Sequence, residues 1–222
     1  MTESDAALVE TLPAASRLAL AYAPRVARLP TLALFALDAR LAGLLRHSRE
    51  PMLAQLRLAW WRETLDRDGG EWPQGEPLLG ALRSWDGRHK ALVALVEGWE
   101  ALTGPAPLPG EALATMAQGR ADAFAALAGV LDREAEVEAA GRLGRQWSLA
   151  DLAMRLSNPQ ERAAAASLAR AEQGPPPRVS RRLRPLLVLH ALARRRAERG
   201  EEAAAASPAA LLTALRAGLL GF

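Results

Sequence analysis

Apolar residues recur at helical spacing along almost the whole chain, and this pattern most restricts the folds that the chain can adopt. In one clear case, Leu92, Leu95, Trp99 and Leu102 follow one another at intervals of three or four residues. No stretch shows the strict alternation of a half-buried strand. Alanine, leucine and arginine dominate the composition, and all three are strong helix formers. The sequence therefore predicts an all-α protein.

Proline and glycine divide the chain into separate predicted helices. The predicted helical segments are 5–22, 31–47, 51–68, 88–102, 111–131, 133–157, 160–172, 181–199 and 208–220. Residues 69–80 are rich in glycine and proline and are predicted to form a loop. No internal repeat and no domain-sized linker interrupts the series, so residues 1–222 are predicted to form a single domain of about eight to ten helices.

Composition excludes several classes of function. The chain has 222 residues and no cysteine, which rules out disulfides and thiolate metal sites. The net charge is only +3, and the high pI of about 10.4 reflects arginines, so we expect no nucleic-acid partner. The three histidines lack metal-ligand spacing. We find neither a signal peptide nor an apolar run long enough to cross a membrane, and we expect a cytoplasmic protein.

The stretch from 31 to 65 carries a recognisable order of motifs. FALDA at 35–39 places Asp38 inside an apolar helical run, REP follows at 49–51, and RLAWWRE lies at 57–63 within the next helix. This order resembles the front half of the squalene/phytoene synthase family. The resemblance extends loosely over residues 17–192, and it implies an isoprenoid-synthase-like helical bundle.

In that family, two aspartate-rich motifs on facing helices hold Mg²⁺ ions, which polarise the departing diphosphate. In the first motif Asp38 matches, but Ala42 stands where the second acid is expected. The segment that resembles the second motif has Asp151 as its only acid, with Arg155 four residues later. The resemblance therefore implies a degenerate member without Mg²⁺-dependent condensation. No cofactor is expected, and Mg²⁺ would bind at Asp38, as a catalytic residue, only if the ancestral activity is retained.

Several residues are candidates for a substrate or ligand pocket. They are Tyr22, Phe35, Arg57, Trp61, Asp151 and Arg155. Asp38 has two open interpretations, since it either pairs with Arg40, Arg46 or a neighbouring helix, or contacts a polar ligand. The Asp151 and Arg155 pair is interpreted as an ordinary surface ion pair. Trp60 and Trp61 are expected in the core, where the Arg57 stem packs on the Trp61 ring.

A basic segment precedes Leu186–Leu189 and includes the start of the helix predicted at 181–199. Its members, candidates for contact with an anionic membrane surface, are Arg178, Arg181, Arg182 and Arg184. Arginines near 194–199 have a simpler explanation, since they complement the dipole at the end of that helix.

Three functions are carried forward from these patterns. The preferred one is a scaffold, an assembly factor similar to those of respiratory complex I, or a binder of a prenyl diphosphate or lipid-like ligand. The second is an active head-to-head prenyltransferase. The third is a peripheral membrane adaptor. The corresponding partners are a hydrophobic ligand, a respiratory-complex subunit or an anionic membrane, with a cytoplasmic location that includes the surface of the inner membrane.

Overall fold

Eleven α-helices make up the part of the chain that the structure describes. This computed structural model describes residues 3–47, 50–172, 174–199 and 207–221, and these residues contain no strand. The helices are α1 (Glu3–Thr11), α2 (Ala14–Leu20), α3 (Arg25–His47), α4 (Pro51–Asp66), α5 (Pro77–Leu82), α6 (Val93–Ala101), α7 (Gly110–Val130), α8 (Val137–Arg155), α9 (Pro159–Ala171), α10 (Arg184–Arg199) and α11 (Pro208–Leu215). The prediction of an all-α protein is confirmed.

Proline sets the start of four helices. Pro51, Pro77, Pro159 and Pro208 each occupy the first helical position, where the missing N–H would have had no partner within the helix. The segment predicted at 5–22 is divided at Pro13 into α1 and α2. Two other sequence-based boundaries are wrong. Helix α3 begins at Arg25 and runs through Pro30, although Pro30 was expected to separate two elements.

The second error is the loop predicted over 69–80, which contains the start of α5. Glu76 caps this short helix by accepting a hydrogen bond from the Leu78 N–H. The leucines at 78, 79 and 82 are buried. Composition predicted a loop because residues 69–80 are rich in glycine and proline. The helix is only six residues long, so tertiary burial rather than local propensity stabilises it.

One continuous hydrophobic cluster runs from Leu8 in α1 to Ala217 just after α11, so the described helices form a single domain. Helices α7 and α8 pack closely within it, because Gly144 of α8 faces the α7 backbone. A Cβ atom at Gly144 would lie 2.7 Å from the Arg120 carbonyl oxygen. Gly119 of α7 packs in the same way against the backbone of Ala94 in α6. Because of these two close approaches, α7 packs directly against both α6 and α8.

Surface exposure corrects one expectation about the core. Trp61 is buried as expected, but Trp60 is 43% exposed and meets Trp61 edge to face at 5.0 Å between ring centroids. Met52 and Leu56 are also exposed on α4. None of the described helices is both long enough and apolar enough to cross a bilayer.

We predict that Gly144→Ala lowers the free energy of unfolding by about 1–3 kcal/mol, because the new methyl group overpacks the α7–α8 contact. Gly80→Ala is the matched control, since Gly80 lies within α5 and a Cβ there meets no atom within 4 Å. That variant should be more stable by about 0.5–1 kcal/mol, because alanine is the better helix former. Urea unfolding followed by circular dichroism measures both changes. Equal effects of the two substitutions would contradict the close approach.

Candidate functional site

A buried arginine joins Asp38 and Asp151, two acids that the sequence indicates as candidates for the site. Arg120 of α7 donates to both carboxylate oxygens of Asp38 in α3, from Nε and Nη2, each at 3.0 Å. Its Nη1 donates to Oδ2 of Asp151 in α8 at 3.2 Å. The Arg120 side chain is only 4% exposed. One guanidinium therefore connects three helices inside the core.

Each carboxylate has a second partner. Trp99 of α6 donates its indole N–H to Oδ1 of Asp38 at 3.1 Å. Arg155, one turn after Asp151, donates from Nε to Oδ1 of that carboxylate at 2.6 Å. The pairing of Asp151 with Arg155 was predicted, but its description as a surface pair is wrong. The Asp151 side chain is 9% exposed, and only Arg155 reaches solvent, at 41%.

Aromatic rings enclose the guanidinium. The central carbon of the Arg120 guanidinium lies 4.2 Å from the Trp147 ring centroid and 5.1 Å from that of Trp99. Phe124 stacks on the Trp147 ring, with 5.2 Å between the ring centroids. Trp147, Asp151 and Arg155 are spaced four residues apart, so they share one face of α8. The rings cover the Arg120 guanidinium and add cation–π attraction to it.

The electrostatics of the cluster favour a permanently charged Arg120. Burial alone would lower its pKa, but the nearby Asp38 and Asp151 carboxylates outweigh burial and raise the pKa above its usual value. Two acids face two guanidiniums, those of Arg120 and Arg155, so the cluster carries no net charge. A buried charge is tolerated when it is paired and fully hydrogen-bonded in this way.

A small cavity of about 200 Å³ opens beside the cluster. Its polar wall consists of Asp38, Arg120, Asp151, Arg155 and Arg46. Its remaining wall is mainly leucine and alanine, and Ala42 forms part of it. Sites for drug-sized ligands usually have volumes of about 300–1,000 Å³, so this cavity suits at most a small ligand.

The residues of this site do not fit a magnesium ion. Mg²⁺ requires oxygen ligands in octahedral geometry, usually with one or two carboxylates that have free lone pairs. Here the guanidinium of Arg120 lies between Asp38 and Asp151, and Ala42 and Arg155 stand four residues after those acids. In the described part of the chain, no group of three or more acids or histidines has the arrangement of a metal site.

The other predicted pocket residues lie elsewhere. Phe35 is buried in the core, and Tyr22 packs on Gly218 beyond α11. Arg57 and Trp61 line a separate surface cavity of about 260 Å³ with Trp60. The structure thus brings together Asp38, Asp151 and Arg155 of the predicted set, and the remaining members do not reach this site.

Sequence reasoning missed Arg120, the residue that organises the site. Its signal was a single arginine in the middle of α7 that shares one helix face with Met116, Ala117, Ala123 and Phe124. A charged residue on such an apolar face implies a buried partner. Its partners Asp38 and Asp151 are 82 and 31 residues away, so local pattern could not identify them.

A larger groove of about 1030 Å³ runs between α8, α9 and α10. Alanines from the three helices form most of its apolar surface, and Arg162, Arg170 and Arg194 lie at its edges. His190 also lines it, and burial together with the nearby Arg194 lowers the pKa of His190 to about 4. The imidazole is therefore neutral near pH 7. Its Nδ1 has no hydrogen-bond partner among the described residues.

Comparison of this chain with protein-family models, curated proteins and solved structures finds no match.

We predict that Arg120→Met lowers the free energy of unfolding by about 3–5 kcal/mol, because it leaves two carboxylates in the core without their cation. Adding Asp38→Asn and Asp151→Asn to that variant should recover part of the loss, since neutral amides need no counter-charge. Urea unfolding measures all three proteins.

Arg62→Met is the matched control for this experiment. Arg62 forms an exposed ion pair with Glu100 at 3.0 Å, and removing such a pair costs less than about 1 kcal/mol. If Arg120→Met were as mild as Arg62→Met, the central role of the buried ion pair would be refuted.

Proposed function

We propose that the chain is a squalene/phytoene synthase-family protein that does not catalyse Mg²⁺-dependent condensation and acts as a scaffold or assembly factor. The order of motifs over 31–65 supports the lineage. The single observation that supports the loss of catalysis is the position of Arg120. Its guanidinium bridges Asp38, which matches the first metal-binding motif of the family, and Asp151, the only acid in the segment that resembles the second.

The chemistry explains why this bridge is incompatible with condensation. Ionising an allylic diphosphate places negative charge on the leaving oxygen, and a metal ion stabilises that charge by direct coordination. A guanidinium that is already bound to two carboxylates has most of its donors occupied. Arg120 can therefore stabilise the fold, but it cannot replace a metal ion, whose open coordination sites bind the diphosphate.

An active head-to-head prenyltransferase is the alternative within the same family. It would use Asp38 in a metal site and needs further acids around the cavity. Among the described residues that line the 200 Å³ cavity, Asp151 is the only other acid, and it is bound to Arg120 and Arg155. This arrangement favours the scaffold over the enzyme.

Within the scaffold class, a role similar to that of complex I assembly factors is our specific proposal, and it rests on the resemblance. Its partner would be a respiratory-complex subunit at the cytoplasmic surface of the inner membrane. A non-catalytic bundle fits this role because it offers stable helical surfaces and needs no turnover.

Binding of a prenyl or lipid-like ligand is a second candidate, favoured by the groove between α8, α9 and α10. Its volume of about 1030 Å³ is sufficient for a long apolar chain, and Arg170 and Arg194 at its edges suit an anionic head group. The small cavity next to Arg120 offers about 200 Å³.

For the adaptor hypothesis, the four candidate arginines divide into two pairs. Arg178 and Arg181 are exposed. Arg182 donates to the Leu131 carbonyl oxygen at 2.6 Å, and Arg184 donates to that of Gly218 at 3.2 Å. The second pair therefore has an evident structural role within the chain.

We predict that the purified protein releases no pyrophosphate from farnesyl or geranylgeranyl diphosphate in the presence of Mg²⁺. The reason is that Arg120 occupies the carboxylates that would bind the metal. A pyrophosphate-release assay, with an active phytoene synthase as the positive control, measures this. Turnover by the wild-type protein that Asp38→Ala abolishes would refute the loss of condensation.

We further predict that deleting the gene lowers the amount of assembled complex I, and that supplying the wild-type gene restores it. Native gel electrophoresis with an NADH dehydrogenase activity stain measures the assembled complex. Normal complex I in the deletion strain would remove the assembly role, and the proposed loss of condensation would then stand on the pyrophosphate assay alone.

A further inference from the structure

Helix α11 and the turn that follows it present a row of exposed leucines. Leu211, Leu212, Leu215 and Leu219 lie on one side of this segment, and Leu220 is adjacent. Their exposed fractions range from 46% to 60%. Together they form the leucine face, which offers roughly 500 Å² of apolar surface, a size that marks interaction sites on folded proteins.

The opposite side of this segment is apolar as well. Ala210, Ala214 and Ala217 are buried against the body of the protein, and Gly218 contacts the Tyr22 ring. A surface helix normally turns polar residues outward, whereas a helix that is apolar nearly all round is covered on both sides. The rest of the protein covers the small residues of α11. The leucine face on the other side therefore needs a separate apolar partner to cover it.

Arginines lie next to the leucine face at its end and along one side. Residues 178–222 contain nine arginines and three glutamates. Arg184 lies against the end of the segment, where it donates to the Gly218 carbonyl oxygen. Arg195 of α10 and Arg216 line one cavity together with Arg194, whose charge is paired with Glu198 at 2.9 Å. An apolar strip with a cationic border complements a partner that has an apolar interior and an anionic surface.

Two occupants, a second copy of the chain and a lipid bilayer, differ in what they require. A stable protein interface usually needs about 800 Å² from each partner, which exceeds the leucine face. A symmetric dimer would also bring two arginine-rich segments together, and like charges would oppose it. An anionic bilayer needs no comparable area, and its charge complements the arginines.

We propose that the leucine face inserts into the head-group layer of an anionic bilayer, with α11 parallel to the membrane plane and the arginines at the lipid phosphates. The proposal is independent of the proposed loss of condensation. It also differs from an adaptor based on residues 178–184, because the leucines of α11 supply the apolar contact.

The experiment is flotation of the full-length protein with vesicles of phosphatidylcholine and phosphatidylglycerol in equal amounts. The wild type should float with these vesicles, and it should float less at high salt or with phosphatidylcholine alone. The Leu212→Ser/Leu219→Ser variant should lose binding by about tenfold or more, because it removes two inserted side chains.

Leu53→Ser/Leu56→Ser is the matched control, since these two leucines of α4 are exposed at 44% and 61%. It should bind vesicles as the wild type does, and unfolding curves check that both variants are folded. The proposal is overturned if the wild type fails to float or if both variants bind equally. It is also overturned if sedimentation velocity shows a dimer that Leu212→Ser/Leu219→Ser dissociates without any vesicle binding.

Discussion

The ion pair between Arg120 and two aspartates fixes the centre of this protein. A guanidinium in an apolar interior is costly unless its donors are satisfied, and here three of its nitrogens bind Asp38 and Asp151. Those bonds determine where α3, α7 and α8 lie relative to one another, because each helix contributes one charged group to the same point. Trp99 and Trp147 then pack against the cluster. The close approach of α7 to α8 at Gly144 serves the same arrangement.

Acids inside a helical bundle can have two roles, which are to bind an exchangeable metal ion or to form a structural ion pair. Carboxylates that face each other across a helical bundle can hold an exchangeable cation, which comes and goes with a substrate. A cation that is covalently part of α7 stays in place, so the acids become structural. Under the proposed function, this exchange of a metal ion for a side chain turns a reaction centre into a support. The groove between α8, α9 and α10 and the leucine face of α11 are then the surfaces left for recognition.

Local sequence pattern predicted the helices well and the contacts between them poorly. Helical spacing and proline positions placed most helices, while α5 and the part of α3 before Pro30 depend on tertiary packing that a local pattern does not contain. Asp38, Asp151 and Arg155 were all identified as candidates, but only Arg155 could be assigned a partner, because it lies one turn from Asp151. Arg120 was missed since its two partners are distant in sequence. The burial of Asp151 follows from that same long-range contact.

The buried ion pair also limits the mutational routes open to this protein. A divalent metal site at this position would need acids at 42 and 155 and a residue smaller than arginine at 120. Replacing Arg120 first leaves Asp38 and Asp151 uncompensated, whereas adding the acids first places more negative charge around a cluster that is already neutral. Each single step on this route gives a less stable protein. No single substitution therefore converts this ion pair into a metal site.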